Sequence, residues 1–433
     1  MANAALSEGP DIGSSVRKKT SRRILPYIFV LYIIAYLDRA NIAFAKTTMS
    51  AELGFSEAVF GFGAGLFFVG YLLLEIPSTI IVEKWSARKW IARILVSWGL
   101  CTILVGFIRS PGQFYAARWV LGAAEAGFFP GVVVYLTHWF PRDDRAKAMS
   151  GLILGVPVSL AIGAPFSALI LQFSWLGVEG WRWMFILQGL PAILFGFLTP
   201  FYLNDRPDDA AWLTPSEKSW LQSRLAAELQ EKRRSGAQKI GEVFLRPDVW
   251  MLAATLFLAN VGVYAFVLWL PATLQAITGA SASRAAVISA APFSIAAVSM
   301  WLIARSADRR RAWRIHASVT LCATAVAFFL AGISEHQGTA AIGWLFVTAA
   351  FVFAWSPPFW VLPTLSLGEV AAAASIGLIN SVGNLGGFIG PSVIGYLLEF
   401  HKARIISVGL LSCCFLSAGL LAILSRPAPV ASR

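Results

Sequence analysis

Residues 24–45 read ILPYIFVLYIIAYLDRANIAFA, an apolar block holding one acid and one base side by side, Asp38 and Arg39. At 1.5 Å per helical residue, a block of this length crosses a hydrocarbon core of roughly 30 Å. A charge in that core costs about 2.5–3.5 kcal/mol even on the mildest insertion scales, so Asp38 and Arg39 must face a cavity or a partner. The stretch therefore reads as a membrane crossing that carries polar chemistry.

It is the first of twelve such blocks. Apolar runs of similar length fall near 24–45, 59–82, 90–108, 114–136, 149–171 and 183–203, then near 249–270, 286–304, 315–333, 341–362, 374–397 and 405–424. The 433-residue chain is 57% hydrophobic and 13% charged, with a mean hydropathy of +0.68, whereas a soluble chain carries about a quarter charged residues. Helices are expected, because lipid leaves each segment to satisfy its own backbone polar groups, and the short alternating strands of a barrel are not seen. One long polar stretch divides the runs into two sets of six. The expected fold is an all-α membrane protein of twelve transmembrane helices. Its parts are an N-tail (1–23), a six-helix bundle (24–203), a linker (204–246), a second six-helix bundle (247–425) and a C-tail (426–433).

The net charge of +12 invites a nucleic-acid partner, but its distribution argues otherwise. Of the 35 Lys and Arg, 26 fall on the two tails, the even-to-odd loops and the linker, and Arg93 in the first turn of span three makes 27, all on one side of the expected topology. That is the positive-inside pattern, and it puts both termini in the cytoplasm; the expected location is a bacterial inner membrane. The first 23 residues are polar and basic, and the run after them is too long for the core of a cleavable signal. Cys101, Cys322, Cys413 and Cys414 all lie in apolar spans, which implies no disulfide framework. His138, His316, His336 and His401 share no ligand spacing, so no metal site and no enzymatic constellation is expected. In the linker, Thr214-Pro215-Ser216-Glu217 reads as a capping box opening an amphipathic helix on the cytoplasmic surface.

Two landmarks show internal repetition. The loop after span two (Glu83 to Lys89) matches the loop after span eight (Asp308 to Arg311) at an offset of about 225. Gly163-Ala164-Pro165 in span five matches Ile389-Gly390-Pro391 in span eleven at 226. Two six-helix repeats around a central cavity are a transporter design.

Three stretches carry a resemblance: Tyr36-Leu37-Asp38-Arg39-Ala40-Asn41, the run from Arg118 to Gly131, and Asn380-Ser381-Val382-Gly383-Asn384-Leu385-Gly386-Gly387. On these the chain resembles the major facilitator superfamily, and within it the anion:cation symporter family. The resemblance implies proton carriers at Asp38 and Glu125 and an anion-binding guanidinium at Arg39. The loop motif after span two is degenerate, with Glu83 for the usual Asp and Ser86 for the usual second Gly. Gating salt bridges are expected from Glu83, Arg88, Asp308 and Arg309. Where sugar-acid members carry a polar residue in span five, this chain has Val156-Pro157. Its linker, with Asn204-Asp205-Arg206-Pro207, looks more like the branch handling tartrate, phthalate or hydroxyphenylacetate.

The residues support a site on their own terms. Arg118 and Glu125 are seven apart and share one helix face, and Gly122 between them leaves that face open. Asp38 and Arg118 lie at similar depths on different helices, positioned to pair. Glu125 has no basic residue one turn away, which marks it as a titrating group. Arg39 points about 100° away from Asp38 around the helix, and its fork suits a carboxylate. Glu75 lies toward the cytoplasmic end of span two, as well placed for the loop's gating bridges as for substrate. The second half has no acid or base in the core of any span. It offers Tyr264, Trp355, Asn380 and Asn384 instead, while Tyr36 and Tyr71 add hydroxyls in the first half.

These readings converge on a secondary transporter importing an organic carboxylate, tartrate-like or aromatic, by proton symport through alternating access. No cofactor is expected, H+ is the coupling ion with Na+ as the alternative, and the unit is a monomer in the bilayer. The rivals are a sugar-acid symporter and a same-fold exporter or antiporter. Gly163-Ala164-Pro165-Phe166-Ser167 does not complete the exporter signature.

Overall fold

The computed structural model describes residues 10–234, 246–334, 336–366, 369–400 and 404–425. Apart from a single bridge between Trp175 and Val178, the described residues form helices and their connections, with no strand. Serines set several helix starts: Ser56, Ser86 and Ser110 accept from the backbone N–H of Val59, Lys89 and Gln113, which satisfies donors that a helix end leaves open.

The first half comprises α1 (Pro10–Leu53), α2 (Glu57–Lys84), α3 (Ala87–Val105), α4 (Pro111–Glu125), α5 (Phe128–Thr137), α6 (Arg142–Ile170) and α7 (Gly180–Tyr202). After the linker helix α8 (Pro215–Arg234) come α9 (Pro247–Thr278), α10 (Ala282–Arg310), α11 (Trp313–Ile333), α12 (Gly338–Val352), α13 (Ser356–Ser366), α14 (Glu369–Leu398) and α15 (Arg404–Leu424). Each half supplies six spans, the fourth being α4 with α5 and the tenth α12 with α13. Among the described residues, eleven spans are long and apolar enough to cross a membrane by length and composition alone. The other is α3, whose first two turns carry Arg88, Lys89 and Arg93. The Arg93 guanidinium lies 4.1 Å from the centre of the Trp90 ring, so its charge is drawn toward the basic end of the bundle.

Two features depart from the sequence expectation. The first span is longer, with α1 starting at Pro10, well inside the expected tail. Its polar first turns dock on α8, where Ser15 Oγ and Lys19 Nζ donate to Glu217 at 2.7 and 2.9 Å. The capping box forms as read, with Glu217 accepting from Thr214 N at 2.9 Å and Thr214 Oγ1 from Glu217 N at 3.3 Å. Burial raises the pKa of Glu217, but the bonds from Lys19, Thr214 and Ser15 outweigh it and hold the carboxyl down at about 2. Such a group stabilises the docked helix above the ordinary Glu range and loses that contribution as pH falls through about 2. The α8 helix packs on α1, with Leu221 buried and Leu229 exposed.

The other departure is a pair of breaks. Between α4 and α5, Gly127 adopts φ +83°, and a Cβ there would collide with Ser78 Oγ. Only glycine meets both demands. The offset of 226 carries Gly127 onto Phe353, which sits in the break between α12 and α13. Broken spans in matching positions of two repeats point to a binding site between them.

The halves meet along α2 with α14, α6 with α10, and α1 with α9. The seam is closest at the end remote from the basic loops. A Cβ on Gly61 would run into the Pro391 carbonyl oxygen, and one on Gly395 into the Glu57 carbonyl oxygen. Trp269 Nε1 donates to Glu57 at 2.8 Å, and Glu399 accepts from the Ala58 N–H at 3.2 Å. On the second seam, Gln172 Nε2 donates to Ser283 Oγ at 2.9 Å. This end is therefore closed.

Gly61→Val is expected to open that end, because the obstructing atom is backbone and cannot yield. Overpacking of this kind costs about 1–3 kcal/mol, or roughly tenfold in the seam equilibrium. A membrane-impermeant thiol reagent applied from that side should label a Ser356→Cys cavity probe, in a background without the native cysteines, about tenfold faster. An unchanged labelling rate would show that the glycine seam does not hold this end shut.

Candidate functional site

Between the broken spans lies a cavity of about 170 Å³. A water's share of liquid volume is about 30 Å³, so the space exceeds that of several waters. That matches a small organic molecule. Its walls combine α1, α2, α4, α5 and α6 from one half with α9, α13 and α14 from the other. All eight residues expected to bind substrate line it: Tyr36, Arg39, Tyr71, Arg118, Tyr264, Trp355, Asn380 and Asn384. They come from both halves, as expected of two repeats around a central cavity.

Arg39 is the centre of the site. Its Nε donates to Glu125 Oε1 at 2.7 Å and its Nη2 lies 2.6 Å from the same oxygen. The rings of Tyr36, Phe67 and Tyr71 surround the guanidinium with centroids 5.1–5.3 Å away. An arginine suits this place because its planar face stacks on rings while its edge stays free for a fork of hydrogen bonds. The Arg39 side chain keeps 16% of its exposure while that of Glu125 keeps none. The cation thus faces the cavity and the carboxylate stands behind it. Glu125 is the last residue of α4, just before the break. Its Oε2 is buried with no hydrogen-bond partner, an open place for a proton.

Asp38 is buried one residue away but does not reach the cavity wall. Its oxygens accept from Asn41 Nδ2 and Trp98 Nε1, each at 3.0 Å. The expected pairing of Asp38 with Arg118 is not formed in this state. Arg118 instead donates to the Ala64 carbonyl at 3.3 Å and stacks 5.0 Å over the Phe67 ring. Its Nε and Nη1 are buried without acceptors. The ion pair of this site is Arg39 with Glu125. The linear sequence concealed it because the two come from α1 and α4, and only the packing of those helices brings them together.

The residues expected to form gating salt bridges are placed as follows. Arg88 pairs with Asp205 at 3.2 Å, and the Asp205 carboxylate also accepts from Ser86 Oγ at 2.7 Å and Arg88 N at 3.0 Å. This cluster joins α3 to the end of α7 within one half. Asp308 accepts from Trp313 Nε1 at 2.8 Å, and both Asp308 and Arg309 are exposed. The Glu83 side chain lies outside the described residues. Among the described residues, no bridge between the halves forms from Arg88, Asp308 or Arg309.

The sequence pattern understates Glu75, which stood equally well as a gating group. It is buried beside the cavity, and its Oε1 accepts from Asn380 Nδ2 of the other half at 2.7 Å. No spacing along α2 could reveal this role, because the partner lies 305 positions away.

The profile of the family described as Major Facilitator Superfamily matches residues 28–391. A protein of Agrobacterium vitis named "Putative tartrate transporter" is 40% identical over 428 residues, covering 97% of this chain and 94% of that protein. A "Quinolone resistance transporter" of Acinetobacter baumannii is 36% identical, covering 90% of each. Among solved structures, the crystal structure of a D-xylose-proton symporter superposes with a TM-score of 0.73 at 17% identity, over 92% of this chain and 96% of that one. That likeness is one of fold.

Proposed function

The chain belongs to the major facilitator superfamily, and within that family we propose that it imports a small organic carboxylate by symport with protons. It is a multi-pass membrane transporter and not an enzyme. The observation that carries the proposal is the Arg39–Glu125 pair at the wall of a cavity built from both halves.

The chemistry follows from competition for one guanidinium. While Glu125 is ionised, it occupies the Arg39 fork. A proton on Glu125 removes the competing charge, and Arg39 then turns its donors to the substrate carboxylate. Loss of that proton on the far side of the cycle restores the pair and expels the anion. Asp38, held by two neutral N–H donors, takes the second proton. The two halves rock about the cavity so that it opens to one side at a time, and in this state the end with the glycine seam is closed. We place the basic end and both termini in the cytoplasm of a bacterial cell, with a monomer as the working unit.

The relative named for tartrate supports a carboxylate cargo, and the cavity's size agrees with one. The relative named for quinolone resistance makes export the second reading. Reconstitution into liposomes with an imposed pH gradient separates them, using a panel of mono- and dicarboxylates. Acid outside should drive carboxylate accumulation inside by symport. The opposite dependence would establish antiport, and indifference to the gradient would establish a uniporter.

A further inference from the structure

The far wall of the cavity is uncharged, but its amides are not free to turn. Asn380 Nδ2 donates to Glu75 Oε1 at 2.7 Å. Asn260 Nδ2 donates to the Gly383 carbonyl at 3.0 Å. A carboxylate and a backbone carbonyl only accept, so each partner fixes which end of its amide it faces. Both asparagines line the cavity, and both have the nitrogen turned to a protein acceptor. The carbonyl oxygen of each is therefore the end turned away from that partner. Asn384, one turn beyond Asn380, lines the same wall.

We propose that Glu75 is a positioning residue that sets Asn380 as a hydrogen-bond acceptor, and that the cavity selects carboxylates bearing hydroxyl groups. This rests on the reading of the protein as a carboxylate transporter. The anion end of the substrate is held by Arg39 on one half. The other half meets it with carbonyl oxygens, which attract an O–H and repel a second carboxylate oxygen. A hydroxyl both donates and accepts, so it also suits the second amide proton of Asn380. A bare dicarboxylate or an unsubstituted aromatic acid brings no donor, and these oxygens would stay unpaired in a buried site. Sites built to bond a hydroxyl reject analogues without it far more strongly than apolar pockets reject a missing methylene. Glu75 sits on α2 and Asn380 on α14, so one half orients the reader that the other half carries.

Succinate, malate and tartrate test this, since they bear no, one and two hydroxyls on one dicarboxylate backbone. Their uptake would be compared in proteoliposomes under a fixed pH gradient. Wild-type protein should prefer tartrate over succinate by about tenfold or more in apparent affinity. Glu75→Gln, whose amide can face Asn380 with either end, should compress that preference to within about threefold. Asn380→Ala should do the same, and the double variant should add nothing further, as expected for residues acting as one unit. Glu75→Asp, which keeps an acceptor-only group, should retain the order of preference. Asn380→Ser, which removes the positioned amide, serves as the test variant if the Gln protein does not accumulate in the membrane, with the same compression expected. Wild-type uptake of all three without regard to hydroxyls would overturn the inference and leave the carboxylate reading standing. So would an equal loss for all three in Glu75→Gln, which is the signature of a structural role. Failure to take up any carboxylate would remove the parent reading and this one with it.

Discussion

Glu125→Gln is expected to abolish accumulation driven by a pH gradient while leaving substrate exchange across the membrane measurable. The substitution keeps the size of the side chain and an oxygen that can accept from Arg39 Nε, so the site should still assemble. It removes the ionisable oxygen, which in the wild type alternates between holding Arg39 and holding a proton. Arg39 then has no charged competitor at any stage of the cycle. The substrate should bind at least as tightly as before, and release should slow. The concentration ratio reached under an inward proton gradient should fall from at least tenfold to about one, given that a full unit of pH is worth about 1.4 kcal/mol per proton. Counterflow of labelled against unlabelled substrate should continue, since it needs no net proton movement. Full proton-driven accumulation in Glu125→Gln would exclude this residue as a coupling group.

Arg39→Ala carries the second large expectation, a loss of at least a hundredfold in substrate affinity. The fork that would take the carboxylate is gone, and truncating one partner of a buried, hydrogen-bonded charge pair in a binding site costs about 2–5 kcal/mol, with a hundredfold in affinity within that range. Glu125, which has no exposed surface, also loses its partner, and that cost falls on the stability of the site. Arg39→Lys should rescue little, because an ammonium has no planar face to stack among Tyr36, Phe67 and Tyr71 and cannot offer two parallel donors. Arg118→Ala is the informative contrast. It removes a cation that lines the same cavity but makes no ion pair in this state. Equal affinity losses at Arg39 and Arg118 would argue that the anion bridges both. An unchanged affinity in Arg39→Ala would move the anion site elsewhere.

Much of this protein is legible in the chain alone. Twelve apolar blocks, one polar linker and a lopsided charge distribution dictate a two-bundle membrane fold, because lipid permits few alternatives. The rarity of charge inside the spans singles out Asp38, Arg39, Arg118 and Glu125, since each such group is costly unless it is used. The polar and aromatic residues of the otherwise uncharged second half are equally visible, and Tyr264, Trp355, Asn380 and Asn384 all reach the cavity.

What the chain does not reveal is which group meets which. Composition and periodicity fix the depth of a side chain and the face it sits on, because both follow from helical geometry along one segment. Partnership depends on how segments pack, and that is set by contacts between residues far apart in the chain. So Asp38 with Arg118 was the natural pairing by depth, and packing chose Arg39 with Glu125 instead. The breaks after Glu125 and Val352 were hidden for the same reason: Gly127 is required by the approach of Ser78 from a neighbouring helix as well as by its own backbone. Glu75 and Asn380 were both visible as polar residues in apolar spans, yet only the seam between the halves makes one the acceptor for the other. That buried charges gather within the membrane-spanning blocks of the first half was written in the linear order of residues. How those residues are joined came from the packing of the helices, because hydrogen bonds and ion pairs are set by distances between helices that no single helix encodes.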